Sequence, residues 1–503
     1  MSLGANKQAL MGAAGAAGGG TNFYSYQIAN SIRGSASQNG TLQFTAGTPT
    51  SSTTMTMSYW VKRYTTSTDG GANNIFVTGT GGGAYIIMGF SSNAWQFQPY
   101  GGSWGTGGGI TMNVSGLSRD TSAWYHQVLR IDTTESTQGD RVRLYQNGER
   151  ITSFSHEGVT GNLSASESVS YINESGVVQA FGGLSGKGHG TEGADLQMAE
   201  IVFNDGQSYG PDSYGETKNG VWIPKDPSGL TFGNNGYWLK FESSSDLGND
   251  SSGNNNDFSV SNFSAHDQML DSPTNNFCTF TPLTGGTTNI DFSEGNLKAT
   301  TNDNIEGMMC TFGLPLGGKY YWEVTQTGWA GSNGDDLRIG VNTLTQPDFQ
   351  NNRGGSDTAY SLASYSGKKD ILGTETAYGT AVRTGNVIGV AVDRVNHTIQ
   401  FYNNGSGDGT FSIASTGDLF PWIGVGGGFN NSITLMNFGQ DSSFAGQSGL
   451  DGSSANASDD NGIGDFYDSP PSGFLAVCSS NLSVADEIDP AQTDDNFPQK
   501  LFQ

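Results

Sequence analysis

The sequence predicts an all-β protein: two jelly-roll-like β-sandwich domains in tandem, a Gly/Ala-rich N-terminal arm and a loop-rich C-terminal tail. Three observations predict it. Short strand-like segments recur through most of the chain, separated by Gly, Asn, Ser and Asp. Glycine supplies 76 of 503 residues, about 15% against a usual roughly 7%, with no Gly-X-Y period, which suits tight turns and excludes collagen. The 27 Phe, 19 Tyr and 9 Trp provide bulk for more than one core, and the length allows roughly three domains at about 150 residues each.

Residues 1–38 form the arm, where only Ala5 to Ala16 has helical character and Gly12 and Gly15 weaken it. Such a segment buries little by itself and gains order by lying against another chain. Residues 39–263 read as the first sandwich. In MTMSYWVK, Met55, Met57, Tyr59 and Val61 alternate with Thr56, Ser58 and Lys62, with Trp60 as the exception, so this is a half-buried strand. In DRVRLYQNGERITSF, Asn147-Gly148 sits between two strand patterns and suits a type I′ turn, which needs positive φ at both central residues. Residues 264–276 read as a linker.

Residues 277–440 read as the second sandwich, from KYYWEV, LRIGV, NVIGVAVD, TIQFYNNG, PWIGV and ITLMNFG. NVIGVAVD is apolar on both faces, Val387 and Ala391 against Ile388, Val390 and Val392, which predicts a central strand. Tyr320, Trp322, Ile388, Val390, Phe401 and Trp422 are assigned to the core. Residues 441–503 form an acidic, loop-rich tail, within which DFYDSPPSGFLAVCSSNL has the bulk to dock on a domain.

The 22 basic and 47 acidic residues leave a net charge of −25, which repels phosphate backbones and anionic membranes. Nucleic acid is a poor partner. Cys278, Cys310 and Cys478 show neither a disulfide framework nor CxxC spacing, which fits reduced thiols in a protein assembled in a cytoplasm. No stretch approaches the roughly 20 apolar residues of a membrane span. The N-terminal small-residue run is too interrupted by glycine to read as a signal peptide.

WYHQVLRID at 124–132, VRLYQNGE at 142–149 and AEIVFNDG at 199–206 together resemble laminin-G-like, concanavalin-A-like lectin sandwiches. LKFESSSDLGNDSSGNNNDF, Leu239 to Phe258, resembles a further laminin-G-type segment that either completes the first sheet or begins a partial repeat. KYYWEV, NVIGVAVDRVNHTIQFYNNG, LFPWIGV and a terminal NFG resemble a SPRY domain in order and spacing. That resemblance implies a bent two-sheet sandwich with partner-binding loops and no catalysis. The whole arrangement, with DSPTNNFCTFTPL between the domains, resembles modular tail-fibre and other virion surface proteins of bacteriophages. It implies that the arm anchors in the particle while the sandwiches face outward.

Catalytic patterns are missing from the text. Asp195 and Glu200 are the nearest approach to a paired-carboxylate strand, and their spacing of five puts them on opposite faces. The histidines, His126 and His397 among them, are scattered without an HExxH or GxSxG context. Binding is the better use of this surface. Trp95, Tyr100 and Trp104 lie in a glycine-rich stretch where aromatic faces could stack on a sugar ring, against the alternative that Trp95 and Phe97 pack inward and Trp104 covers the sheet. Asp246, Asn249 and Asp250 form an oxygen-rich cluster of the kind Ca2+ takes, or else a solvated Asx-rich turn. In the second sandwich, Trp329, Asp335, Asp336, Tyr360, Tyr365 and Tyr378 fall in inter-strand loops, where they could meet a partner or, as buried tyrosines, anchor the loops.

These features lead to the expectation of a non-enzymatic phage virion protein of the tail fibre. It attaches to other virion proteins through residues 1–38 and displays its sandwiches to a host-surface glycan or protein, without membrane insertion. Weak single-site affinity favours a homo-oligomer such as a trimer. The competing readings are a capsid decoration or head-fibre protein and, behind both, a glycan hydrolase.

Overall fold

The computed structural model describes residues 23–35, 38–65, 73–81, 84–91, 93–104, 111–157, 163–182, 195–282, 290–302, 306–327, 337–343, 356–425 and 430–482. Residues 1–22, the greater part of the expected arm, lie outside them. Two compact units divide the chain, one spanning Tyr24–Thr274 and the other containing Asn275 onward.

The first unit is a sandwich of two eight-stranded sheets. One runs in spatial order through Glu149–Arg150, Val142–Gln146, Trp124–Asp132, Thr54–Arg63, Leu196–Asp205, Ser31–Arg33 and Gln268–Met269, with Tyr237–Leu239 also paired to Leu196–Asp205. The other runs through Phe154–Glu157, Met112–Leu117, Ala94–Tyr100, Ala84–Ser91, Asn73–Gly81, Val178–Phe181, Thr41–Thr45 and Ser259–Ser261. Met55, Met57, Tyr59 and Val61 point into one core with Phe76, Ile86, Met88, Trp95 and Phe97, as strand alternation requires. The predicted hairpin forms, with Asn147 at φ 49° and Gly148 at φ 83°. Since Tyr237–Leu239 joins the first sheet and Ser259–Ser261 the second, residues 239–258 complete this sandwich.

The outer face of the first sheet is covered as well, and this explains Trp60. Its ring packs with Ile28, Trp124 and Ala199 beneath Tyr26 and Trp222, while Val128, Val202, Tyr214, Phe232 and Trp238 form a second patch on that unit. Described residues read above as arm and linker, Tyr24 to Ser35 and Ser264 to Thr274, therefore belong to this unit. Ser31–Arg33 pairs with both Leu196–Asp205 and Gln268–Met269. Beyond that pairing, Lys62 Nζ meets Asp271 Oδ2 at 2.7 Å with both side chains about 2% exposed or less, and Trp124 Nε1 donates to Asp271 Oδ1 at 3.2 Å. Tandem alternation cannot reveal such a contact, because Asp271 lies 209 residues from Lys62.

The second unit is also a two-sheet sandwich. Its larger sheet orders Ile290–Ser293, Lys298–Asn302, Asn430–Asn437, Lys319–Thr327, Val387–Asp393, Thr398–Asn403 and Ser406–Ser412; the smaller orders Glu306–Met309, Phe420–Val425, Leu337–Asn342, Ala359–Ala363, Lys368–Ile371 and Thr374–Ala377. Val387–Asp393 is internal and buried throughout, as its two apolar faces predict. Tyr320, Trp322, Ile388, Val390, Phe401 and Trp422 are all buried.

Much of the expected tail is part of this unit. Where Asn430–Asn437 leaves Lys319–Thr327, Leu475–Ala476 pairs in parallel with Tyr320 and Tyr321. Buried Glu323 holds the return path: its carboxylate accepts from the backbone N–H of Tyr467 at 2.8 Å and Asp468 at 2.6 Å, and from Asn437 Nδ2 at 3.0 Å. Asp459 accepts from Asn461, Ile463 and Ala476 backbone N–H and from Asn481 Nδ2.

The buried Lys62–Asp271 pair yields a direct prediction. Asp271→Ala should cost about 3–5 kcal/mol by removing the carboxylate that faces a buried ammonium, whereas the double change Lys62→Met with Asp271→Leu should cost much less. Urea unfolding of the variants measures both, and a loss below about 1 kcal/mol for Asp271→Ala would contradict the pairing.

Candidate functional site

The chain leaves the strand Tyr237–Leu239 and turns back on itself around a cleft of about 280 Å³, lined by Lys240, Phe241, Glu242, Ser243, Asp246, Asn249 and Ser251. Three devices fix its walls. Phe241 takes a left-handed backbone conformation, φ 58°, unusual for a bulky side chain, and its carbonyl accepts from Gln268 Nε2 at 2.6 Å. Leu247 and Phe258 insert into the sandwich core and peg the loop from within. Asp250 faces inward: Oδ1 accepts from Trp238 and Ser252 N–H, and Oδ2 from Ser252 Oγ and Asn256 N–H, all at 2.8–2.9 Å.

Consequently the three residues expected to gather around a cation part company. Asp246 and Asn249 remain exposed on the cleft, while the Asp250 oxygens serve the turn. Among the described residues no group of three or more His, Cys, Asp or Glu is placed to hold a metal ion. The Asx-turn alternative accounts for the geometry. On the adjoining wall, Lys240 Nζ pairs with Glu242 at 2.6 Å and lies 4.8 Å from the Trp238 ring centroid. Its ammonium is thus directed by an aromatic face as well as a carboxylate.

Behind this wall, Trp238 Nε1 donates to Glu200 Oε1 at 2.6 Å and Tyr26 Oη does so at 2.9 Å. Glu200 occupies a left-handed position, φ 51°, where the pairing of Leu196–Asp205 with Thr54–Arg63 shifts register. Burial pushes its carboxyl up to about 7, opposed by the two donors and the Lys240 charge. The strict two-residue alternation applied to Asp195 and Glu200 thus meets a bulge.

The aromatic candidates separate in the same way. Trp95 and Trp104 are both 0% exposed, so neither ring can stack on a ligand. Trp104 Nε1 donates to the Ser170 carbonyl at 2.8 Å, and its ring meets Phe97 edge-on at 5.6 Å. The inward-packing alternative describes both tryptophans. Tyr100 remains half-exposed, stacked on Tyr85 at 4.6 Å between centroids.

In the second unit, Trp329, Asp335 and Asp336 lie outside the described residues. Tyr365 is half-exposed, with the Arg383 guanidinium 5.7 Å from its ring centroid. Tyr378 anchors its own segment: its hydroxyl donates to the Gly409 carbonyl and accepts from Phe401 N–H at 3.3 Å, and its ring meets Phe411 edge-on. Tyr360, expected in a loop, lies instead within the strand Ala359–Ala363, half-buried and paired between Val341 and Ile371.

His126 is fully buried between Ser58 and Trp222. Because an indole N–H only donates, the 2.9 Å contact from Trp222 Nε1 makes Nδ1 the acceptor and leaves the proton on Nε2, facing Ser58 Oγ at 2.8 Å. In that state the ring cannot withdraw the serine proton, and burial lowers its basicity to a pKa of about 3.

Two predictions follow from these placements. Trp104→Ala should destabilise the first unit by about 3–5 kcal/mol, while Asn249→Ala should stay within about 0.5 kcal/mol; comparable unfolding midpoints for the two variants would contradict the assigned burial. Glu200 has a folded-state pKa raised from 4.5 to about 7, so its contribution is complete below the lower value and lost as pH rises through the upper one. Relative to Glu200→Gln, the native chain should lose on the order of 3 kcal/mol across that window. Parallel urea titrations at either end test it, and identical pH responses would refute it.

Residues 35–184 match the concanavalin A-like lectin/glucanases superfamily, and residues 319–441 match the SPRY domain. Among solved structures, the chain is similar to the SPRY domain of human HERC1, with 18% identity over 31% of this chain and 96% of that one, TM-score 0.27. It is also similar to a native heptameric SAP-like pentraxin from Limulus polyphemus, with 15% identity over 37% of this chain and 80% of that one, TM-score 0.26. A comparison with curated proteins finds no match. The chain thus carries a concanavalin-A-like lectin/glucanase domain and a SPRY domain in tandem on an almost wholly β frame.

Proposed function

We propose that the chain is a non-enzymatic recognition protein of a bacteriophage virion, a tail-fibre component that displays both sandwiches to a host-surface glycan or protein. The observation that carries the recognition reading is the presence of two domain types associated with binding in one chain. The side-chain chemistry agrees: Asp250 and Glu323 hold turns, and His126 is buried in a state unsuited to act as a base. The virion assignment draws on the small-residue arm and the order of the domains along the chain. With Ser31–Arg33 built into the first sandwich, attachment through the residues that precede it, 1–22, would leave the sandwiches available, and several copies on one particle would compensate for weak individual contacts.

Immunogold labelling of purified particles with antibody against residues 319–441 tests the reading. The expected result is label on the fibres, with purified chain adhering to host cells. Label on the shell would move the protein to the capsid decoration or head-fibre alternative. Particles without label would overturn the virion assignment.

A further inference from the structure

We propose that Lys62 and Asp271 form an intramolecular isopeptide bond, a covalent cross-link that matures from the buried ion pair of the folded first unit. The sheet brings nucleophile, electrophile and oxyanion donor together. Trp124, Lys62 and Gln197 are register partners on three adjacent strands, so they make one row across it. All three reach Asp271: Lys62 Nζ lies 2.7 Å from Oδ2, Trp124 Nε1 donates to Oδ1 at 3.2 Å, and Gln197 Nε2 donates to the backbone carbonyl at 3.1 Å. Ser31 Oγ donates to that same carbonyl at 2.6 Å, and Thr274 Oγ1 bonds both the N–H and the carbonyl of Ile28. The aspartate is thus fixed through its own backbone and through the chain that follows it. A nitrogen 2.7 Å from one carboxylate oxygen stands close to the roughly 3–3.5 Å attack separation from the carbon that bears it.

Burial favours the product. Lys62, Trp124, Gln197 and Asp271 are all buried, and Trp124 belongs to an apolar cluster with Ile28, Trp60 and Ala199 that shields this face from water. Opposite charges withdrawn from water forfeit hydration that a neutral amine–acid pair, or an amide, does not need. The chemistry balances within the pair. One proton passes from Nζ to Oδ2, the freed lone pair attacks Cγ, and the Trp124 indole N–H steadies the negative charge that develops on Oδ1. As the tetrahedral species collapses, the Cγ–Oδ2 bond breaks and Oδ2 leaves with a second proton from Nζ as water. A secondary amide remains, and the step is redox-neutral. Because the carboxyl group is a competent electrophile only once protonated, the amide accumulates after folding, and freshly folded chain carries the ion pair. Reversal requires water to return to the shielded site, so the bond persists once made. It ties together positions 209 residues apart.

The test is the intact mass of the denatured full-length chain, taken directly after purification and again after prolonged incubation of the folded protein at physiological temperature. We expect the mass of one water to be lost during incubation, and a digest to contain one branched peptide that joins the Lys62 and Asp271 segments. Lys62→Arg, shown by thermal melts to be folded, should keep its full mass, and folded Trp124→Phe should condense at least about tenfold more slowly. Native chain that retains its full mass after incubation would overturn the cross-link, whatever the variants do. A loss of water that persists in Lys62→Arg would overturn it too, since an aspartate cyclising onto its own backbone sheds the same mass. An equal rate in folded Trp124→Phe would overturn the role given to the indole.

Discussion

The fold depends on carboxylates that are taken out of water and saturated with hydrogen-bond donors. Asp205 is the clearest instance. It is 0% exposed, and its two oxygens accept from Thr50, Ser51 and Asn235 backbone N–H and from Asn173 Nδ2. One side chain thereby joins three loop segments to the end of a core strand. Asp250, Asp459 and Glu323 act in the same manner elsewhere. Hydrogen bonds to a charged acceptor are among the stronger ones available, and buried N–H groups left without partners are costly. A chain rich in Gly, Asn and Ser has little apolar bulk with which to pin its loops, so these polar clamps assume that task.

The clamps also bear on the proposed recognition role. Both sandwiches place apolar side chains between their sheets, but the surfaces that could meet a ligand are loops, whose backbone would otherwise lose considerable entropy on binding. Fixing Asp250 inside its turn leaves Asn249 and Ser251 on a defined wall; fixing Glu323 to residues 467 and 468 closes the second unit around its extra parallel strand. Part of the acidic content is therefore structural. The carboxylates at Asp205, Asp250 and Glu323 are poor candidates for catalysis because their acceptor positions are engaged.

What the sequence revealed followed from local rules. Alternation identified Met55, Met57, Tyr59 and Val61 as core-facing, turn chemistry identified Asn147-Gly148, and the doubly apolar Val387–Asp393 proved internal. What it concealed needed distant partners. Trp104 looked accessible among glycines, yet the Ser170 carbonyl lies 66 positions away. Trp60 looked anomalous because the layer above its face comes from Ile28 and Trp222. The acidic DLGNDSSGNNND segment showed the right letters for either a cation site or a turn, and only the inward direction of Asp250 distinguishes them. For the cleft, the signal was that same segment; the contribution of Lys240 and Glu242 was missed because a strand end and a loop were read separately.

Amide hydrogen exchange in Asp205→Asn offers the most direct examination of the clamp principle. The amide substitute keeps the shape but loses the charge and one acceptor, so exchange at Thr50, Ser51 and Asn235 should accelerate by about a hundredfold while amides within Thr54–Arg63 keep their protection. Native exchange rates at those three loop amides in a folded Asp205→Asn protein would show that the loops are held by something other than the buried carboxylate.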